Sequence, residues 1–337
     1  MSRRQKWMVG DQGDLSQTRY FAELNLKAPC TLHFALDSGA IHERISWVPV
    51  KFLVGLSASA RKQSCSMNAP DIAATLIASD GVPIAWQARG TGLPAVALVH
   101  SLAMDHRFWD PVAQLLEGRA VVITIDARGH GKSGHGGKPF TAQRVADDLL
   151  EVMDHLRISR AVVGGASMGG CVALQFAGSY PQRTAGLALI DTTAWYGPTA
   201  LKDWEDRAGK AMAQGLASLV DFQKTRWFSD AFRAREPQAV QACIDTFLAN
   251  DLESYAAACR MLGRFDGRAL LKDVGVPTRV LVGEEDYAAP VPMAQAMHEA
   301  ITGSKLEIIP GARHLTPLEV PDIVAANLLD LCSGSCK

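Results

Sequence analysis

The chain has 337 residues, 48% of them apolar and 20% charged, with a formal net charge of −1 at neutral pH. Such a chain can bury one large core or two modest ones, and its composition excludes collagenous, disordered and disulfide-scaffold classes. Lys and Arg are scattered rather than blocked, so nothing electrostatic calls for a nucleic-acid partner, and no run of about 18 apolar residues predicts a membrane span.

The seven cysteines form no Cys-x-x-Cys pair, which gives a zinc or thioredoxin-type site little support and predicts reduced thiols in a cytoplasmic protein. Cys332 and Cys336 read as an incidental reduced pair. The run Phe52–Leu56 followed by Ser57-Ala58-Ser59-Ala60 is too short and too far from the start for a signal peptide. No metal and no organic cofactor is expected.

Residues 1–66 mix Arg3, Arg4 and Lys6 with isolated apolar patches and show no sustained period. Met67-Asn68-Ala69-Pro70 reads as a natural start, so the expectation is a poorly ordered extension over 1–66, an over-long gene product. A docking arm is the rival, and activity retained on truncation to Met67 would favour the former.

From Ala74 onward strands and helices alternate. Ala74–Ala78 and Val82–Gln87 flank Asp80-Gly81 and predict a hairpin. Ala95–His100, Ala120–Asp126, Ala161–Gly165 and Gly186–Asp191 are short apolar runs of the kind found in buried parallel strands. Between them, Thr141–Leu156 places Val145, Leu149, Val152, Met153 and Leu156 on one helical face, and Gly170–Tyr180 is apolar all round. The alternation pauses from about Trp195 to Phe265, where the pattern is helical throughout. It resumes with strands at Thr278–Gly283 and Lys305–Ile309 and a helix near Pro321–Leu331. The prediction is an α/β fold: a mostly parallel sheet with helices on both faces, divided into a first core part 67–192, an inserted helical lid 193–268 and a second core part 269–337. No internal repeat is visible.

Gly165-Ala166-Ser167-Met168-Gly169 lies between a strand and an apolar helix. In that setting Gly-x-Ser-x-Gly marks a sharp turn that lifts a serine hydroxyl above the sheet, with glycines letting strand and helix approach closely. The bland alternative is a helix-capping serine. Ser167 as nucleophile requires a base, and the base an orienting carboxylate. Beyond the strand Arg279–Gly283 come Glu284, Glu285 and Asp286; beyond Leu306–Ile309 come Gly311, Ala312, Arg313 and His314. Both loops follow strand carboxyl ends, where such sites collect. His314 is the base candidate. Either glutamate is able to supply the carboxylate, but the Gly-x-x-Asp spacing from Gly283, with Pro290 four residues on, favours Asp286. An oxyanion needs donors, assigned to the amides of Met168 and of Leu102 in the loop after Ala95–His100. His100 is expected to support that loop.

Residues from about Leu76 to Leu331 resemble the α/β-hydrolases, and among them the 3-oxoadipate enol-lactonase branch. Asp126-Ala-Arg128-Gly-His130-Gly-Lys-Ser133 resembles the superfamily's Asp-x-Arg-Gly-x-Gly-x-Ser loop, which marks fold rather than chemistry. His100-Ser-Leu-Ala-Met-Asp105-His-Arg-Phe-Trp109, Arg226-Trp227-Phe228-Ser229 with Phe232 and Glu236-Pro237, Ser254-Tyr255-Ala-Ala-Ala-Cys259, and Gly311-Ala-Arg-His314-Leu315 with Leu318-Glu319 are similar to segments of that branch. The resemblance implies Ser167, Asp286 and His314 as the triad, and the breakdown of an aromatic-derived lactone as the setting. Departures stand at Ala103, where many lactonases carry glycine, at His100, where many carry asparagine, and at Ser254, again in place of glycine.

A lactone with a carboxylate tail would need one cation in an apolar pocket, and Arg226, flanked by Trp227 and Phe228, is a candidate; the alternative is an Arg226 paired with a surface carboxylate while the two aromatics pack the lid. Trp109 and Tyr255 complete the substrate-binding set, with Met168 expected beside Trp109 along the acyl pocket. The expected partner is therefore a small-molecule ester or lactone, with a homo-oligomer left open. Three classes of function remain: ester or lactone hydrolysis through an acyl-enzyme, carbon–carbon bond hydrolysis of ring-cleavage products, and a non-catalytic binding protein on a hydrolase scaffold. Retention of Ser167, Asp286 and His314 together argues against the last.

Overall fold

The computed structural model describes residues 72–90 and 94–334, together with a two-residue antiparallel pairing of Tyr20–Phe21 with Ala35–Leu36. The chain divides into two compact units, Met1–Ser64 and Cys65–Lys337. Apart from that short pairing, the expectation for residues 1–66 lies outside the described residues, as do Cys30, Cys65 and Cys336. Among the described residues no helix is long and apolar enough to cross a membrane.

The larger unit is built on eight strands: β1 Ile72–Ile77, β2 Pro83–Arg89, β3 Ala95–Val99, β4 Val121–Ile125, β5 Ala161–Ala166, β6 Thr184–Ile190, β7 Thr278–Gly283 and β8 Lys305–Ile309. Their order across the sheet is β8-β7-β6-β5-β3-β4-β2-β1. The first six of these run parallel, and β2 and β1 add antiparallel at one edge. The expected hairpin is β1–β2, closed by Gly81 at φ 85°. The central strands β3, β5 and β6 are buried along their whole length, which is why they read as continuous apolar runs. Strand β8 ends the sheet and leaves most of its residues exposed.

The helices are α1 Asp110–Leu116, α2 Ala142–His155, α3 Met168–Ser179, α4 Ala200–Gln214, α5 Val220–Trp227, α6 Asp230–Arg235, α7 Pro237–Leu248, α8 Leu252–Arg264, α9 Arg268–Leu271, α10 Val291–Ala300, α11 Thr316–Glu319 and α12 Pro321–Gly334. Helix α3 packs on β5, β6 and β3 and against α2, while α12 packs on β6, β7, β3 and β5 and against α1. The sheet is thus sandwiched between helices, as its two apolar faces require. Thr141 starts α2 by accepting from the Arg144 amide. Helices α4 to α9 all fall between β6 and β7, with α4 packed along α8. Helices α1 and α10 were not foreseen from the sequence, because α1 is a short segment and α10 follows a turn of acidic and proline residues that masks its period.

Candidate active site

Ser167 sits between β5 and α3 with φ 55° and ψ −115°, a conformation that costs a non-glycine residue on the order of 1–3 kcal/mol. The surroundings impose it. A Cβ on Gly165 would lie 2.1 Å from the Gly169 carbonyl oxygen, and one on Gly169 would lie 2.0 Å from that of Val99. The turn is also pinned through the Ser167 amide to the Ile190 carbonyl at 2.9 Å and through the Thr192 hydroxyl to the Ser167 carbonyl at 2.7 Å. The amide of Met168, first residue of α3, and that of Leu102 have no protein acceptor among the described residues. The Met168 amide belongs to the positive end of α3, and Leu102 shares the wall of one cavity with Ser167.

Two loops from the carboxyl ends of β7 and β8 meet Ser167. His314 Nε2 lies 2.9 Å from Ser167 Oγ, and His314 Nδ1 lies 2.8 Å from Asp286 Oδ2. The other Asp286 oxygen accepts from the amides of Ala288 and Ala289 at 2.7 and 2.9 Å. Burial alone would raise the Asp286 pKa, but the charge and hydrogen bond of His314 and those two amides hold it below the ordinary value. An ionised Asp286 accepts a hydrogen bond from Nδ1–H, which fixes the tautomer that leaves Nε2 free to accept from the serine. The two glutamates are elsewhere: Glu285 pairs with Arg313 at 3.1 Å and Glu284 accepts from the Gly311 amide at 3.0 Å.

A second carboxylate, Asp191 at the end of β6, is fully buried nearby and has φ 48°. It accepts from the Gly283 amide at 3.2 Å and from the Thr316 amide and hydroxyl at 2.9 and 2.7 Å. It therefore ties the segment leading to Asp286 to the segment following His314. Burial, then the charge of Asp286, pushes its pKa well up. Sequence reasoning treated it only as a strand end; the signal was an acidic residue closing an otherwise apolar run.

The loop carrying Leu102 is set from beneath. His100 Nε2 accepts from the Ala127 amide at 3.0 Å, so its Nδ1 donates to the Ser101 carbonyl at 2.8 Å. Burial lowers the His100 pKa, keeping the ring neutral. Ala103 adopts φ 61°, and its carbonyl accepts from Asn250 Nδ2 at 2.9 Å.

The inserted helices hold the histidine loop. Leu315 donates to the Trp227 carbonyl at 3.0 Å, and Arg313 to those of Thr225 and Phe228 at 2.9 and 3.0 Å. Buried Glu319 accepts from the Ser229 hydroxyl and from the Arg313 amide, the latter at 3.2 Å. The Arg226-Trp227-Phe228-Ser229 segment is thus built into the support of His314.

A cavity of about 140 Å³ opens beside Ser167 and His314, bounded by Ser101, Leu102, Tyr196, Trp204, Arg207, Phe222, Gln223, Arg226, Trp227 and Ala288. Of the expected substrate contacts, Arg226 and Trp227 are in its wall. Trp109 is not: it is fully buried, edge-on to Phe108, because its apolar ring completes the core under the preceding loop. Tyr255 is also fully buried and meets the wall through Arg207, whose Nε donates to its hydroxyl at 2.7 Å and whose charged carbon lies 5.9 Å from its ring centre. Met168, likewise expected along the acyl pocket, is buried and is not part of the wall. Arg207 and Tyr196, unremarked in the sequence, stand in the wall because α4 and the segment before it fold over the strand ends.

Asp105, His106 and Asp126 place ligand-type atoms within 4.8 Å of one another beside a separate cavity. Those atoms already hold hydrogen bonds: Asp126 accepts from the His106 ring and amide and from the Lys132 amide, and Asp105 accepts from Arg107. Burial opposes ionisation of Asp126, yet these donors bring its pKa down to about 2. The cluster organises the Asp126–Ser133 loop. Cys171, Cys243 and Cys259 are buried free thiols, and Cys332 is buried as well.

A parallel sheet with a serine on a strained strand-to-helix turn and a histidine and carboxylate on later strand ends defines an α/β-hydrolase. The sequence model described as "Alpha/beta hydrolase family" matches residues 96–327, and the chain belongs to that family. It is similar to 3-oxoadipate enol-lactonase 1 of Acinetobacter baylyi, 32% identical over 72% of this chain and 89% of the relative. Among solved structures it is similar to the enol-lactonase from Burkholderia xenovorans LB400, at 29% identity and TM-score 0.73, covering 77% of this chain and all of the other. A thermophilic esterase from Thermogutta terrifontis, determined with malate bound, is 31% identical with TM-score 0.73, over 80% of this chain and 100% of that one.

Proposed function

We propose that this hydrolase cleaves the ester bond of a small ester or enol-lactone through an acyl-enzyme on Ser167, with His314 as general base and Asp286 as its orienting acid. The observation that carries the reading is the unbroken chain from Ser167 Oγ through His314 to Asp286, with both links at 2.8–2.9 Å. As the serine oxygen bonds to the carbonyl carbon, its proton passes to His314 Nε2, and Asp286 stabilises the imidazolium. The oxygen that gains charge is received by the amides of Met168 and Leu102. Collapse breaks the carbon–oxygen bond, and His314 returns the proton to the leaving oxygen. Water then repeats the sequence in reverse and frees the acid. The enol-lactonases among the relatives favour a lactone of aromatic breakdown as the substrate, and buried free thiols fit work in the cytoplasm.

A fluorophosphonate probe tests this. Wild-type protein should be labelled at Ser167 and the Ser167→Ala variant should not. Unlabelled wild type, or labelling that survives in Ser167→Ala, overturns the assignment.

A further inference from the structure

The loop that carries Leu102 turns on Ala103. The Ser101 carbonyl accepts from the Met104 amide at 3.1 Å, closing a four-residue turn with Ala103 in third place at φ 61°. A turn with that angle ordinarily takes glycine there, because an L side chain crowds the backbone at positive φ. Ala103 is also fully buried, so its carbonyl must find a donor within the protein. The donor is 147 residues away: Asn250 Nδ2, at 2.9 Å.

Asn250 lies at the corner between α7 and α8, just past the α7 cap Ala249. Its Nδ2 also donates to the carbonyls of Thr246 and Phe247, at 2.9 and 3.1 Å. Three carbonyl oxygens around one nitrogen admit only the amino end of the amide. The Oδ1 end is buried and has no hydrogen-bond partner among the described residues, which costs stability. Asparagine is favoured past a helix end when its backbone is left-handed, but Asn250 has no positive φ, so that reason for it is missing here. The next residue, Asp251, caps α8 by accepting from the Ser254 amide at 2.8 Å. The side chain that reaches Ala103 is thus mounted on a corner tied to both helices.

We infer that Asn250 is a positioning residue for the oxyanion donor: its amide clasps the Ala103 carbonyl and so holds the Leu102 amide toward the reacting carbonyl. The inference rests on the hydrolase reading. Leu102 lies between two fixed points. One is the Ser101 carbonyl, held by the Met104 amide and the His100 ring; the other is the Ala103 carbonyl, held by Asn250. Rotation about φ of Ala103 swings the Leu102 peptide relative to that second point. Releasing it lets an alanine leave a backbone region it disfavours and carries the donor off line. The inserted helices thus serve both charges of the transition state, the imidazolium through the segment around Trp227 and the oxyanion through Asn250.

The experiment measures p-nitrophenyl acetate turnover and the rate constant of fluorophosphonate labelling, whose phosphoryl oxygen uses the same donors. Asn250→Ala and Asn250→Ser are compared, each with and without Ala103→Gly, and kcat is normalised to sites labelled at completion. Serine keeps a hydroxyl for the Thr246 carbonyl but is too short for that of Ala103. Both single variants should lose about 10- to 100-fold in kcat and in labelling rate, with KM changed less than about threefold. With Ala103→Gly added, where positive φ carries no penalty, the same substitutions should cost less than about threefold. A purely helix-capping role predicts equal losses in the two backgrounds, because the cap does not involve Ala103. Equal losses, both rates within about threefold of wild type in the single variants, a loss carried by KM, or failure of both variants to fold overturns the inference and leaves the hydrolase reading intact. A wild type that neither labels nor turns over is instead the failure of the hydrolase reading, and the inference falls with it.

Discussion

The serine turn and the histidine loop meet at one hydrogen bond but are held by opposite means. Ser167 is fixed by its immediate neighbours: a Cβ on Gly165 or Gly169 would lie 2.1 or 2.0 Å from a neighbouring carbonyl oxygen, and the hydrogen bonds to Ile190 and Thr192 come from the adjacent strand β6 and the residues just after it. His314 has no such local compulsion. Its position depends on Trp227, Phe228 and Ser229 of the inserted helices, on Glu319, and on Asp191 from β6. The lesson is that disruption of the first region should be felt by the fold, whereas disruption of the second should be felt first by the chemistry.

The sharpest cut falls on the histidine side. Asp286→Asn keeps the shape but presents a donor to Nδ1, imposing the wrong tautomer, and kcat should drop by about 10⁴-fold. Glu285→Gln, which touches only Arg313, should change kcat less than threefold; the two variants' steady-state kinetics settle which acid serves. On the serine side, Gly169→Ala would force a methyl group into the Val99 carbonyl and should cost about 3 kcal/mol of stability, read as a lowered urea midpoint.

The ring of His130 lies edge-on to that of His100 under the Leu102 loop, and burial brings its pKa down from 6.5 to about 3. Above pH 6.5 both folded and unfolded states leave it neutral, and its contribution is full. As pH falls from 6.5 toward 3 only the unfolded chain takes the proton, and stability declines by about 1.4 kcal/mol per unit. Urea titrations across that window should show the slope, and His130→Asn should flatten it. A slope unchanged by the substitution would place the acid sensitivity elsewhere.

Smaller effects should separate support from chemistry. Glu319→Gln puts an amide against donors from Ser229 and Arg313, and kcat should fall about tenfold with little change in melting temperature. An equal loss of stability and rate would make Glu319 a folding residue. Finally, Ala103→Gly relieves a left-handed backbone at φ 61° and should raise stability by about 0.5–1 kcal/mol in thermal denaturation.

Much of this was legible beforehand. The β1–β2 hairpin, the buried runs of β3, β5 and β6 and the amphipathic α2 follow from short-range periodicity. Ser167, Asp286 and His314 were nameable because each sits a fixed few residues past a recognisable strand. The pocket was harder. Trp109 looked like a substrate contact and is core, because its ring has no way to face the cavity from beneath the loop. Tyr255 looked like another and is buried behind the wall, where its hydroxyl accepts from Arg207. Asp191 and Asn250 gave no motif, since their importance comes from partners 92 and 147 residues distant.

What the sequence by itself determined is the serine turn: steric demands between residues two positions apart are written locally, so Gly-x-Ser-x-Gly after a strand leaves Ser167 little choice. What only the tertiary structure decided is which charges meet above it. Hydrogen bonds and cavities join residues that share no spacing, and it took the folding of α4 and α5 over the strand ends to set Arg207 and Arg226 in one wall.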